Sequence, residues 1–144
     1  MAVVLERIRV LVFDLDDTLY PERSYAFSGF EAVGTWLEQQ IPCSMDPVAR
    51  MRELFETGDR RRIFDILLAE FGCANPETLI PAMLRRYREH TPSIQLAPDA
   101  LELLVRLQRR VRLALLSDGP LVMQQRKVAA LRLSEWLDPI VLTD

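Results

Sequence analysis

Apolar positions change period along the chain, and each change predicts an element. Residues 8–13 alternate only weakly and are mostly apolar on both faces, the pattern of a strand inside a parallel sheet. After Pro21 the spacing turns helical: Phe27, Phe30, Val33 and Leu37 form one stripe with Trp36 beside it, ended by Ile41-Pro42. Asp46-Pro47 is an N-cap followed by proline at the first helical position, opening a helix with Val48, Met51, Leu54 and Phe55 inward. A third helix is predicted over 59–71 from Ile63, Phe64, Ile66 and Leu67, stopped by Gly72. Asn75-Pro76 repeats the cap-plus-proline signal for a fourth, with Leu79, Met83, Leu84 and Tyr87 inward, closed by Thr91-Pro92. Residues 21–92 therefore read as one all-helical block.

Strand and helix then alternate. A helix is predicted over 98–109, carrying Leu101, Leu104, Val105 and Leu107, and a buried strand over 111–116 that ends at Ser117-Asp118-Gly119-Pro120. Residues 122–131 read as helix and 139–142 as a short strand. This order is an α/β pattern with right-handed crossovers. It divides the chain into a core of 1–20 plus 93–144 and a helical insert of 21–92. No internal repeat or low-complexity segment interrupts it.

Composition narrows the class. The 144 residues are 49% hydrophobic and 27% charged with a net charge of −3, values of a globular chain with no electrostatic pull toward nucleic acid or anionic membranes. No apolar run approaches the roughly 20 residues of a membrane span. The first residues carry Glu6, Arg7 and Arg9, too charged for a signal-peptide core. Cys43 and Cys73 show no metal-ligand or CxxC spacing and read as reduced thiols of a cytoplasmic protein.

The candidate chemistry lies where the first strand runs into Asp14-Leu15-Asp16-Asp17-Thr18. Carboxylates at the end of a buried strand are costly unless something uses them. Two acids spaced i, i+2 can converge on one hard cation or one phosphoryl group. The alternatives are turn and cap roles, and for Asp17 a solvated turn role is the expectation.

These residues resemble the haloacid dehalogenase-like (HAD) hydrolases, in the phosphatase branch with a helical cap of the C1 type. The first motif of that family, an apolar strand followed by DxDx[TV], is matched by Asp14, Asp16 and Thr18. The second, an apolar strand ending in Ser or Thr, is matched by Leu113-Ala114-Leu115-Leu116-Ser117. The resemblance runs from about Ile8 onward. It implies a Rossmann-type parallel core with an inserted all-helical cap that closes over the site. It also implies a Mg²⁺-dependent phosphomonoester hydrolase acting through an aspartyl-phosphate, with Asp14 and the backbone carbonyl of Asp16 as metal ligands. An acid at Asp16 favours phosphatase or phosphomutase chemistry over dehalogenation, which has no alkoxide to protonate.

The residues read compatibly on chemical grounds. Asp14 is the candidate nucleophile, and Asp16 the candidate acid and base for the leaving oxygen and then for water. Two carboxylates this close repel, raising the pKa of one unless a cation intervenes. Mg²⁺, usually held by one or two carboxylates with waters and phosphate, suits such a site. Thr18, Ser117, Asp118 and Gly119 are the candidate phosphate-binding residues, with Gly119 allowing close backbone approach near a helix N-terminus. The expected substrate is a small phosphorylated metabolite, a sugar phosphate or a nucleotide.

Other features carry plainer expectations. Arg60-Arg61-Arg62 reads as a solvated helix face, Trp36 and the phenylalanines of the helical block as bundle core, and His90 as a helix-end or surface group. Tyr20, Glu22 and Arg23 lie between the acids and the helical block, within reach of a substrate. Lys127, the only lysine, stands ten positions beyond Ser117 and is expected to pack or salt-bridge on its helix. The family's later phosphate-binding cation and final acidic pair have no match before Asp144, so the core reads as incomplete at its C-terminal end. Three expectations follow: a fragment of a longer hydrolase, a catalytically dead module with a binding or structural role, or a homodimer completed through the exposed sheet edge.

Overall fold

A computed structural model describes residues 8–144; the part of the expected core at 1–7 lies outside the described residues. The first strand, β1 (Val10–Phe13), leads through a tight turn into α1 (Glu22–Leu37). Next come α2 (Pro47–Thr57), a 3₁₀ turn at Arg60–Arg62, α3 (Ile63–Glu70) and α4 (Pro76–Glu89). The chain continues with α5 (Pro98–Leu107), β2 (Arg112–Asp118), α6 (Leu121–Ala130) and β3 (Ile140–Thr143). The three strands form a parallel sheet in the order β1-β2-β3, the α/β architecture expected from the alternation.

The chain divides into two compact units. One comprises the residues up to Tyr25 and Thr91–Asp144, the other Ala26–His90. In the first, Leu113 and Leu115 of β2 point to the covered side of the sheet with Leu104 of α5 and Leu131 and Leu133 after α6, all at most 5% exposed. Leu15 and Leu19, in the turn after β1, are as deeply buried. The other sheet face carries Val10, Val12, Leu116 and Val141, 44–60% exposed. The expected burial of β1 on both faces is thus not met: Leu11 and Phe13, on the face that the helices approach, are half-buried, and Val10 and Val12 on the other are exposed.

The helical unit packs Phe30, Val33, Leu37, Met51, Leu54, Leu67, Leu68 and Met83 into one core. Its sequence signals act as chemistry predicts. Asp46 accepts from the N–H groups of Val48 and Ala49 at 2.8 and 3.1 Å, capping α2 ahead of Pro47. Gly72 adopts φ +66° after α3, and the N–H groups of Gly72 and Cys73 close on the carbonyls of Ala69 and Leu68 at 3.0 Å. Asn75 differs: its side chain makes no cap bond, and its carbonyl instead receives the N–H and hydroxyl of Thr78. On α1, a Cβ at Gly29 would come within 2.5 Å of the Tyr87 ring, so only glycine allows this approach of α4. His90 stands at the end of α4 as its C-cap residue, the helix-end position expected of it, and its ring nitrogens lie 2.7 Å from the Tyr87 carbonyl and 3.1 Å from the Ser28 hydroxyl.

Candidate active site

Parallel pairing sets the site. The register Phe13↔Leu115 and Ser117↔Leu142 brings the carboxyl ends of all three strands together, with Asp14–Thr18 after β1 beside Ser117-Asp118 of β2. In open α/β sheets this is the end where ligands bind. All the residues described below belong to the first unit.

The three acids of the loop part company. Asp14 is exposed, and one of its oxygens accepts the Thr18 hydroxyl at 3.2 Å. Asp17 takes a left-handed φ of 55° and its side chain accepts the Glu22 N–H at 2.8 Å. That is a turn and helix-start role, since short acids tolerate this backbone region and cap the orphan N–H groups of a helix. Asp16 points elsewhere. Both its oxygens accept from the Lys127 ammonium, at 2.8 and 2.9 Å. Oδ1 also accepts the Tyr20 hydroxyl, and Oδ2 the Gln124 amide at 3.2 Å.

Lys127 is 3% exposed, so its charge is desolvated and must be paired. The pair with Asp16 does this, and the Tyr25 ring adds a face 4.6 Å from the ammonium. The cation that pairs with Asp16 is therefore a side chain of α6. Tyr20 is 1% exposed, and burial first, then its bond to Asp16, push its phenol well above the ordinary tyrosine value. It serves as a donor and is held inside the fold, not turned toward solvent where a substrate would meet it.

The second motif is tied to the first through Gln124. Its amide nitrogen lies 2.6 Å from the Ser117 hydroxyl and 3.0 Å from the Asp118 carbonyl, as well as near Asp16. Two of those three partners can only accept, which fixes the orientation of the amide. Ser117 is 2% exposed, within β2 and not at the junction that follows. Asp118 is exposed, and its carboxylate accepts the Thr143 hydroxyl at 3.1 Å. Gly119, at φ +133°, donates its N–H to the Thr143 carbonyl at 2.9 Å. The backbone donor expected to face a phosphate is thus engaged with β3.

Of the expected site residues, Asp14 and Thr18 pair with each other, Asp16 and Ser117 join through Gln124, and Asp118 and Gly119 bond to Thr143. Gln124, Lys127 and Tyr20 complete the group. The spacing of Gln124 and Lys127, i and i+3 on one helix, puts both on one face, and their burial is the signal the sequence alone conceals. Among the described residues no three His, Cys, Asp or Glu side chains converge as a metal cage, and no helix is long and apolar enough to cross a membrane.

Comparison with known proteins identifies the family. A family model for haloacid dehalogenase-like hydrolases matches residues 8–144. The glyceraldehyde 3-phosphate phosphatase of Methanopyrus kandleri is 25% identical, over 95% of this chain and 62% of that protein. Among solved structures, the HAD-hydrolase YfnB from Bacillus subtilis, bound to magnesium, is 23% identical with a TM-score of 0.61, over 94% of this chain and 64% of that one. A HAD-superfamily hydrolase of subfamily IA, variant 1, from Geobacter sulfurreducens aligns with a TM-score of 0.65 at 15% identity, over 94% and 62%. The chain thus spans less than two thirds of the length of these relatives. With its fold, its motif order and a match from residue 8 to residue 144, the chain belongs to the haloacid dehalogenase-like hydrolases.

Proposed function

We propose that the chain carries the reacting carboxylates of a magnesium-dependent phosphomonoester hydrolase acting on a small phosphorylated metabolite. The observation that carries this reading is the division of labour between two neighbouring acids: Asp14 exposed at the strand end, Asp16 held back by Lys127, Gln124 and Tyr20. An Asp14 oxygen attacks phosphorus and the bond from phosphorus to the ester oxygen breaks; Asp16, entering the step protonated, gives the leaving oxygen its proton and is left as the carboxylate that Lys127, Tyr20 and Gln124 hold. Water then attacks the aspartyl-phosphate, Asp16 takes the water's proton, and free phosphate and Asp14 are restored. Thr18 orients the Asp14 carboxylate through their hydrogen bond.

The donor set is all oxygen, as Mg²⁺ prefers: the exposed Asp14 carboxylate and the Asp16 backbone carbonyl, with waters and substrate phosphate completing the shell. A bound Mg²⁺ would neutralise charge on the phosphoryl oxygens. The side chain of Asp16 is taken by Lys127 and has no part in that shell. For the substrate, the panel begins with glyceraldehyde 3-phosphate, after the Methanopyrus kandleri relative, and extends to sugar phosphates and nucleotides.

The test is phosphate release from that panel by the 144-residue chain and by any longer form, with and without Mg²⁺. Turnover that needs Mg²⁺ and falls by about a thousandfold in Asp14→Asn is the expected result. Transfer of phosphate between positions of one sugar, without release, would make the protein a phosphomutase. Absence of turnover by every form would leave the dead-module reading in its place.

A further inference from the structure

We propose that Lys127, with Gln124 beside it, is a positioning residue for Asp16 and not a ligand of the substrate phosphate; the catalytic side of this proposal rests on the phosphatase reading above. A phosphate-gripping lysine needs an ammonium that can reach the substrate. Here the side chain is 4% exposed, its nitrogen bridges both oxygens of one carboxylate, and an aromatic ring covers it. Moving it onto a phosphate would strip Asp16 of two of its four hydrogen bonds and leave an unpaired carboxylate beside Asp14.

The geometry points to a different use. An acid that must meet a leaving oxygen gains rate from being held in one orientation, and small misplacements are expensive. Asp16 sits on a loop between β1 and α1, whereas Gln124 and Lys127 stand on one face of α6, a regular helix. The helix grips the loop: Lys127 fixes both carboxylate oxygens, and Gln124 couples Oδ2 to Ser117 and to the end of β2. One helical face thereby sets the distance between the two sequence motifs.

Two measurements test this. The first compares kcat/KM of wild type and Lys127→Met on the best alkyl monoester of the panel and on 2,4-dinitrophenyl phosphate, whose leaving group needs no proton. Loss of positioning predicts a fall of about tenfold or more on the alkyl ester and less than about threefold on the aryl ester. Inhibition by inorganic phosphate should stay within about twofold. Equal falls on both esters, or a marked loss of phosphate inhibition, would overturn the proposal, the latter because Lys127 would then be gripping phosphate. The second is a double-mutant cycle in denaturant unfolding with Asp16→Asn and Lys127→Met, which needs no activity. Non-additive effects are expected, and additivity would show that the side chains do not hold each other. If wild type turns over no monoester while the cycle shows coupling, the phosphatase reading fails and the catalytic role falls with it, but the Asp16 restraint stands.

Discussion

At the scale of single residues, the site is governed by what burial does to polar groups. Lys127 and Tyr20 are both nearly inaccessible, and each is tolerable there only because Asp16 supplies acceptors. Tyr20 also makes stability depend on pH in a definite direction. Its folded phenol holds its proton well above the ordinary value of 10, because burial and the Asp16 carboxylate disfavour the phenolate. The unfolded chain releases that proton near pH 10 while the folded chain keeps it, so the contribution is complete below pH 10 and is lost as pH rises beyond it. Denaturant midpoints of wild type should therefore fall between pH 9 and 11 more steeply than those of Tyr20→Phe. At pH 8 the same variant should lose about 1 kcal/mol for the missing hydrogen bond. A wild-type profile no steeper than that of the variant would show that the phenol is not held in this way.

At the scale of elements, the helical unit is fixed by close approaches and caps. Gly29 marks the tightest approach between α1 and α4, where the Tyr87 ring is itself packed against Phe30, Phe64 and His90. Gly29→Ala gains up to about 1 kcal/mol of helix propensity, but overpacking against a ring that cannot retreat costs about 1–3 kcal/mol. A net loss of stability is expected, read as a lower thermal midpoint, and a rise would mean that α4 can move away. The Asp46 cap is the simpler case: Asp46→Ala leaves two N–H groups of α2 without their acceptor and should cost about 1 kcal/mol in urea unfolding. Both signals stand in the sequence, but only Asp46 announces itself there. Gly29 inside a helical stripe reads as a weakness until the neighbouring ring is placed.

For the molecule as a whole, the open side of the sheet is the feature with consequences. Among the described residues β1 is an edge strand, and Val10 and Val12 beside Leu116 expose apolar surface along it. Such an edge is a template for pairing with another chain. Concentration-dependent association of the 144-residue chain is expected in sedimentation or scattering. Val12→Lys, placing a charge on the 60% exposed position, should weaken it without altering the circular dichroism spectrum. Association unchanged by this substitution would locate the contact elsewhere.

The sequence by itself determined the elements, the α/β class and the first motif, because these depend on local period, on caps and on acids that follow a strand directly. It separated Asp17 from its neighbours for the same reason: a turn acid acts on backbone groups a few residues away. What only the tertiary structure decided is who meets Asp16. Lys127 is 111 positions away from it and Gln124 is 108, and nothing in the local pattern distinguishes a buried lysine from a solvated one. The parallel register of β1 on β2 and the packing of α6 bring them together. Desolvation then makes the pairing obligatory, turning a loop acid, a helix amide and a lone lysine into one restrained group.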